Sequence, residues 1–154
     1  MGLDMYLNAK RYLGIADFKT MKRDEPSPTI TAMFPELQGQ YQAQKVEVQV
    51  AYWRKANAIH RWFVENVQGG KDECQESYVD DAQLRALLDA AKQALAVPAN
   101  ASEVLPTQEG FFFGTTDYDK WYIEDLENTV KQLSEILDNE GLMKDWEFYY
   151  QSSW

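Results

Sequence analysis

Apolar and polar residues alternate in three stretches of the chain. Near the start, Leu3, Met5 and Leu7 alternate with more polar residues. The stretch "KVEVQV" at 45–50 repeats this pattern with its three valines on one face, and the tail "DWEFYYQSSW" repeats it at 145–154. Successive side chains of a strand point to opposite faces of a sheet, so each stretch predicts a half-buried strand.

In "YWRKANAIHRWFVENV", at 52–67, apolar residues recur every three or four positions instead. This spacing predicts an amphipathic helix that Gly69 and Gly70 end. The predicted buried face consists of Tyr52, Ala56, Ile59, Phe63 and Val67.

Two further helices are predicted downstream. Asp80 and Gln83 have the spacing of a capping box at the start of the second helix. Its predicted stripe consists of Leu84, Leu87, Leu88, Ala91 and Leu95. Thr116 is the predicted cap of the third helix, and Gly141 its predicted end. The stripe of this third helix consists of Tyr122, Leu126, Val130, Leu133 and Leu137.

These elements predict an α+β fold, in which a small antiparallel sheet of three or four strands packs against about three helices. The motif "GFFFG" at 110–114 is either a short strand or a tightly turned loop, with its phenylalanines anchored in the core. A long irregular loop is predicted at about 14–44, where three prolines occur. The length of 154 residues predicts a single domain, 1–154.

The chain is acidic, with 15 basic and 25 acidic residues and a net charge of −10. Residues 1–55 carry a net charge of +2, and residues 56–154 carry −12. An acidic surface repels nucleic acid, so no direct nucleic-acid binding is expected. The acidic surface either keeps the protein soluble or mimics nucleic acid and binds a basic groove on another protein.

Cysteine content and hydropathy indicate the compartment. Cys74 is the only cysteine, so no disulfide can form within the chain, and a reducing compartment is expected. No apolar run approaches the ~20 residues that cross a bilayer. The sequence therefore predicts a cytoplasmic protein that does not associate with membranes.

The first predicted helix carries the main candidate site. At helical spacing, Trp53, Asn57 and His60 form a row beside the buried face, and His60 is the only histidine. An imidazole can donate, accept or shuttle a proton, so this row is a candidate ligand-binding surface. The alternative is a half-buried core histidine bonded to backbone groups. On another face, Arg54 and Arg61 are candidates for binding an anion, or form a solvated surface.

Aromatic and acidic residues cluster near the start of the third helix, where Tyr118, Trp121 and Tyr122 are candidate binding residues. Paired carboxylates there can hold Mg²⁺ or transfer protons, but they are more often helix caps. The acidic neighbours of Cys74 disfavour a nucleophilic thiolate. No zinc motif is present. The sequence therefore predicts no catalytic residue, no metal site and no cofactor.

Four stretches carry a resemblance to known proteins: "MGLDMYL", "YWRKANAIHRWFVENVQGGKDEC", "LPTQEGFFFGTTDYDKWYIEDLE" and "YYQSSW". Together they resemble a group of small proteins encoded by bacteriophages and prophages, over nearly the whole chain except 14–44. This resemblance implies a protein in the cytoplasm of a bacterial host, where phage accessory proteins bind host factors or counter defence systems. It implies no particular activity.

Two functions are consistent with these features. The favoured hypothesis is a non-enzymatic accessory protein that binds and modulates a host or phage macromolecule, with exposed aromatic residues such as Tyr149 in the interface. A homodimer is compatible with it. The alternative is a protein that binds or processes a nucleotide-like small molecule around Asn57 and His60, where basic, amide and aromatic groups suit such a ligand.

Overall fold

The computed structural model describes residues 2–12, 32–37 and 45–154. In these ranges the fold is α+β, with a four-stranded antiparallel sheet and five α-helices, which confirms the predicted fold class. The strands are β1 (Asp4–Tyr12), β2 (Lys45–Arg54), β3 (Ser77–Val79) and β4 (Glu147–Ser153). The helices are α1 (Asn57–Asn66), α2 (Asp81–Ala96), α3 (Ala101–Val104), α4 (Lys120–Leu137) and α5 (Glu140–Asp145). None of the described helices is long and apolar enough to cross a bilayer.

The chain divides into two compact units. The first comprises Met1–Ala9 and Gln49–Trp154 and contains all five described helices. The second, Lys10–Val48, contains a 3-10 helix at Pro35–Leu37. Most of the loop predicted at 14–44 lies outside the described residues. The hypothesis of a single domain stays a prediction.

The sheet has the order β2-β1-β4-β3, so the first and last strands of the chain are its two central strands. At one edge β3 pairs antiparallel with β4, and Ser77 lies opposite Tyr150. The sequence pattern did not reveal β3, because three residues are too few to show a period. The "GFFFG" stretch forms a turn rather than a strand, with Phe113 buried and Phe111 95% exposed. The expectation that all three of its phenylalanines anchor in the core is therefore wrong.

The second strand is longer than predicted, and this moves the start of α1. β2 continues to Arg54, with Ala51 and Trp53 buried and Tyr52 exposed, while Val48 is 45% exposed. The strand therefore extends into residues that the helical spacing had assigned to the first helix, and it buries the face of Ala51 and Trp53, opposite to the face of the three valines. Aromatic residues favour a pleated, half-buried strand, so the true boundary lies at the junction after Arg54.

The core of the first unit lies between the inner face of the sheet and the helices. Leu3, which precedes β1, and Met5 and Leu7 of β1 are fully buried, and the ring of Phe63 in α1 stacks on Tyr150 of β4 at 3.9 Å. Each such side chain contributes about 1.5–3 kcal/mol of burial free energy. Helix α2 packs along α4. The residues that α2 and α4 bury are Leu84, Leu87, Leu88, Ala91, Ala94, Tyr122, Leu126, Thr129, Leu133 and Ile136.

The helix ends confirm one predicted cap and correct another. The Asp80 capping box is present, with both the side chain of Asp80 and that of Gln83 bonded to backbone N–H groups. For α4 the N-cap is Asp119, whose carboxylate accepts from two backbone N–H groups, and not Thr116. Gly141 lies within α5 and does not end α4. Asp119, three residues after Thr116, is the N-cap because a carboxylate accepts stronger hydrogen bonds than a hydroxyl at a helix N-terminus.

Helix α4 is attached to the edge strand β2 by side-chain hydrogen bonds. The Gln132 amide accepts from the Tyr52 N–H at 2.8 Å and donates to the Tyr52 carbonyl at 3.1 Å. The buried indole N–H of Trp53 donates to the Thr129 hydroxyl at 2.9 Å. Gln132 therefore supplies the donor and acceptor that a neighbouring strand would supply at this edge. These bonds set the position of α4 relative to the β2–α1 junction.

We expect Asp80→Ala to lower the free energy of unfolding by about 1 kcal/mol, because the Gln83 N–H in the first turn of α2 loses the carboxylate that accepts its hydrogen bond. The matched control is Asp81→Ala, which removes a first-turn carboxylate outside the capping box and costs less than about 0.5 kcal/mol. Chemical denaturation followed by circular dichroism measures both. Equal losses for the two variants would contradict the capping role of Asp80.

Candidate functional site

A cavity of about 470 Å³ lies between the β2–α1 junction and the start of α4. Residues 105–119, here called the α3–α4 loop, form its third wall. The junction contributes Arg54, Lys55, Ala56, Asn57, Ala58 and Ile59 to the lining. The α3–α4 loop contributes Thr107, Gly114, Thr115 and Asp117, and α4 contributes Trp121, Tyr122, Asp125 and Leu126.

The junction has an unusual backbone conformation at Lys55, whose φ is 59°. Its N–H donates to the Leu3 carbonyl at 2.7 Å, and its carbonyl accepts from the Asn57 N–H at 2.8 Å. A side chain other than glycine in this left-handed region costs about 1–2 kcal/mol. Gly114, with φ of 88°, lies beside it, and an added Cβ would be 3.4 Å from the Lys55 Cβ. Strained residues of this kind cluster at functional sites.

The N-terminus of α1 opens at the same junction. Its N-cap is Ala56, and no side chain caps this helix. The first N–H groups of a helix have no partner within the helix and carry a partial positive charge. Because Ala58 and Ile59 line the cavity, this end of α1 adds to the positive charge of Arg54 and Lys55.

The buried Asn57 side chain organises the α3–α4 loop. Its amide nitrogen donates to the Phe113 carbonyl at 3.1 Å and the Thr115 carbonyl at 2.8 Å. Its oxygen accepts from the Gln108 N–H at 3.1 Å. With three partners in the loop, Asn57 uses both donors and one acceptor position to hold the cavity wall. It shapes the site, and its amide has no donor left for a ligand.

Two tyrosines brace the other end of the same loop. The Tyr122 hydroxyl, which is buried, donates to the Leu105 carbonyl at 2.9 Å. Burial raises the pKa of Tyr122 well above its ordinary value, so the hydroxyl stays protonated and remains a donor. The Tyr118 hydroxyl accepts from the Thr107 N–H at 3.2 Å, and its ring contacts Tyr122 edge-on at 4.9 Å.

The carboxyl of Asp125 lies on the α4 wall. Burial, followed by repulsion from Glu124 and Asp119, raises the pKa of Asp125 to about 7. A half-buried carboxyl with a perturbed pKa in a cleft is a typical functional-site feature. One turn before it, Trp121 lines the cavity with 56% of its surface exposed. The Lys120 ammonium lies 4.3 Å from the centroid of the Trp121 ring.

The only histidine lies outside the cavity lining and is fully buried. Its Nδ1 is 2.7 Å from the Tyr150 hydroxyl, and its Nε2 is 2.9 Å from Asp72 Oδ2. The other Asp72 oxygen accepts from the Trp154 indole N–H at 3.1 Å. His60 therefore links α1 to β4 and to the segment before β3. Its partners are side chains and not the backbone groups that the core alternative predicted.

The structure brings together four of the eight predicted site residues. Arg54, Asn57, Trp121 and Tyr122 line the cavity. The other four do not line it: Trp53 and His60 are in the core, Arg61 pairs with Glu65 at 2.7 Å, and Tyr118 braces the loop. Sequence reasoning missed the loop residues of the wall, Thr107, Gly114 and Thr115. No sequence signal links them to Asn57, because these contacts span about 50 residues.

The chain matches no protein-family model, and no curated protein or solved structure is significantly similar to it. In the described ranges, no three His, Cys, Asp or Glu side chains are grouped as the ligands of a metal ion would be.

We expect Tyr150→Phe to lower the free energy of unfolding by about 1–3 kcal/mol, because the buried His60 Nδ1 loses its partner. The control is Tyr149→Phe in the same strand. The Tyr149 hydroxyl donates to the exposed Glu147 carboxylate at 2.9 Å, and its loss changes stability by less than about 0.5 kcal/mol. Thermal or urea unfolding compares the two. A Tyr150→Phe variant as stable as Tyr149→Phe would show that the His60 bond contributes nothing.

Proposed function

We propose that this protein binds a small nucleotide-like molecule in the cavity between α1 and α4. The observation that carries the proposal is the composition of the cavity walls. Arg54, Lys55 and the uncapped N-terminus of α1 lie on one side, and Trp121 and Asp125 lie on the α4 side. The proposal covers binding, and no reaction is assigned to the site.

The size of the cavity supports a small molecule. Its volume of about 470 Å³ falls within the roughly 300–1,000 Å³ of small-molecule sites. Such sites combine apolar and aromatic walls with a few placed polar groups. Here Ile59, Leu126 and the aromatic residues provide the apolar part.

The charges on the α1 side support an anionic group such as a phosphate. A guanidinium binds phosphate with two parallel hydrogen bonds, and a lysine binds it as a point charge. Helix N-termini bind phosphate through their free N–H groups. Arg54 can turn toward a ligand, because its side chain is 65% exposed and its ion pair with Asp4 is long, with Nε 4.0 Å from the Asp4 carboxylate.

The aromatic side supports a planar ring. An indole offers a face for base stacking, worth about 1–3 kcal/mol per base. Trp121 is 56% exposed and lines the cavity, so its indole is accessible to a ligand that enters. A nucleoside phosphate carries both groups, the anion and the planar ring.

We expect the double variant Arg54→Gln/Lys55→Gln to weaken binding of nucleoside monophosphates at least tenfold by isothermal titration calorimetry, because both cations of the phosphate side are removed. The control is Arg85→Gln/Lys92→Gln, which makes the same charge change on α2, away from the cavity. Equal weakening in both variants would indicate a general charge effect. The absence of binding of any of the four common monophosphates to the wild-type protein would contradict the proposal.

A second candidate is the binding of a host or phage macromolecule, which the resemblance to phage and prophage proteins also suggests. One observation favours it: Phe111, at the tip of the "GFFFG" turn, is 95% exposed. The turn is constrained, because a Cβ on Gly110 would lie 2.5 Å from the Phe113 ring. A fixed turn that presents an exposed phenylalanine resembles the apolar anchor of a protein interface.

We expect Phe111→Ser to lose a specific partner that the wild-type protein retains in quantitative pull-downs from a bacterial host, because an apolar anchor contributes about 2 kcal/mol or more to binding. The control is Val97→Ser, a valine that is 46% exposed and lies at the end of α2. A set of retained proteins that is the same for both variants and the wild type would count against this candidate.

A further inference from the structure

The Asp125 carboxyl is the polar group of the cavity that the fold itself does not use. In the described part of the chain, no hydrogen bond to its carboxyl oxygens is formed, and only its backbone carbonyl accepts, from the Thr129 hydroxyl at 2.7 Å. Asp119 caps α4, and Asp117 accepts from the Thr115 hydroxyl at 3.0 Å. Asp125 therefore has neither the capping role of Asp119 nor the loop hydrogen bond of Asp117.

A carboxyl in this position is unfavourable for stability. Half-burial removes part of its hydration without a compensating hydrogen bond, and Glu124 and Asp119 add repulsion. A glutamine or leucine would avoid both costs. Residues that lower the stability of the fold and form no stabilising contact are typical of binding sites, because function there can require a less stable arrangement.

We propose that Asp125 accepts two hydrogen bonds from adjacent N–H groups on the base of the bound nucleotide, so that the ligand is a guanine nucleotide. This inference rests on the proposed function. It deepens that function by naming the base and the residue that selects it.

The choice of guanine follows from the geometry of a carboxylate. Its two oxygens are coplanar and accept two parallel N–H groups well, as they do from a guanidinium. Guanine presents such a pair at N1 and its 2-amino group. Hypoxanthine lacks the 2-amino group, and adenine has an unprotonated N1 whose lone pair a carboxylate repels. Trp121, one turn before Asp125 on α4, is placed to contact the base.

The phosphate then lies toward the opposite wall, where Arg54 and Lys55 are. A base on α4 and a phosphate at the β2–α1 junction match the opposite charges of the two walls. A ligand with an anion at each end would meet Asp125 with a like charge and is disfavoured. The same walls therefore select both the identity and the orientation of the ligand.

The inference predicts a pH dependence. The charged groups around the Asp125 carboxyl are Glu124 and Asp119 on its own helix and cap, Asp117 of the loop, and Arg54 and Lys55 across the cavity. Two N–H donors bind the ionised carboxylate, which predominates above its pKa of about 7. Guanine selectivity is therefore greatest above pH 7 and is lost as the pH falls below it. Because all three test ligands carry the same phosphate, its own titration cancels in their affinity ratios.

The test is calorimetric titration of the full chain with GMP, IMP and AMP at pH 8 and pH 6. We expect the wild-type protein to bind GMP about tenfold more tightly than IMP at pH 8, with AMP weaker still. Asp125→Asn reduces the GMP-to-IMP ratio to within about twofold. The control variant Glu127→Gln, which removes an exposed carboxylate of the same helix, keeps the wild-type ratio.

Thermal unfolding checks that Asp125→Asn folds. The folded state raises the pKa of Asp125 above the unfolded value, so wild-type stability falls as the pH rises from about 4 to 7. Asp125→Asn has no ionisable group at this position, so its stability does not fall in this way. It should melt at a higher temperature than the wild type at pH 8. The two melting temperatures should converge toward pH 4.

Two results distinguish this inference from the proposed function. If the three nucleotides bind equally, or if Asp125→Asn keeps the preference for GMP, the guanine assignment is overturned. In that case a tenfold loss in Arg54→Gln/Lys55→Gln still supports nucleotide binding. If none of the three nucleotides binds to the wild-type protein, the inference is overturned. If CMP and UMP also fail to bind, the proposed function is overturned with it.

Discussion

The architecture around the cavity depends on one buried amide. The side chain of Asn57, in the first turn of α1, bonds three backbone groups of the α3–α4 loop. Backbone groups in a loop have no regular partners, and leaving them buried and unpaired costs about 1–3 kcal/mol each. Asn57 supplies those partners from a rigid helix, so the loop is fixed as one wall of the cavity. The polar side chain of Asn57 stabilises the loop. Because Asn57 lies at the start of α1, it also lines the cavity.

The opposite wall is positioned from the sheet. Helix α4 is held to β2 through Gln132 on the backbone of Tyr52 and through Thr129 on the Trp53 indole. All three hydrogen bonds involve Tyr52 or Trp53, near the end of β2 and just before the chain turns into α1. The same short stretch therefore determines where α4 lies and where α1 begins. A cavity forms at this point because two helices start close together and both are attached to the same strand end.

Two features that lower stability lie at this cavity. Lys55 adopts a left-handed backbone conformation, and Asp125 carries a half-buried carboxyl beside like charges. In the hydrophobic core, apolar strand faces pack on apolar helix stripes. His60, in contrast, is satisfied on both ring nitrogens by Tyr150 and Asp72. Despite the versatile chemistry of its imidazole, His60 is therefore a weaker candidate for a binding residue than Asp125, whose carboxyl has no hydrogen-bond partner among the described residues of the cleft.

The sequence by itself determined the fold class, three of the four strands and the three longer helices. These follow from local periodicity, because alternation and helical spacing each bury one face of an element whatever it packs against. It also placed Arg54, Asn57, Trp121 and Tyr122 among the candidates. The tertiary structure alone decided that Trp53 belongs to a strand and that His60 lies in the core. It alone decided that the α3–α4 loop closes the cavity, because hydrogen bonds between residues 50 or more positions apart leave no period in the sequence.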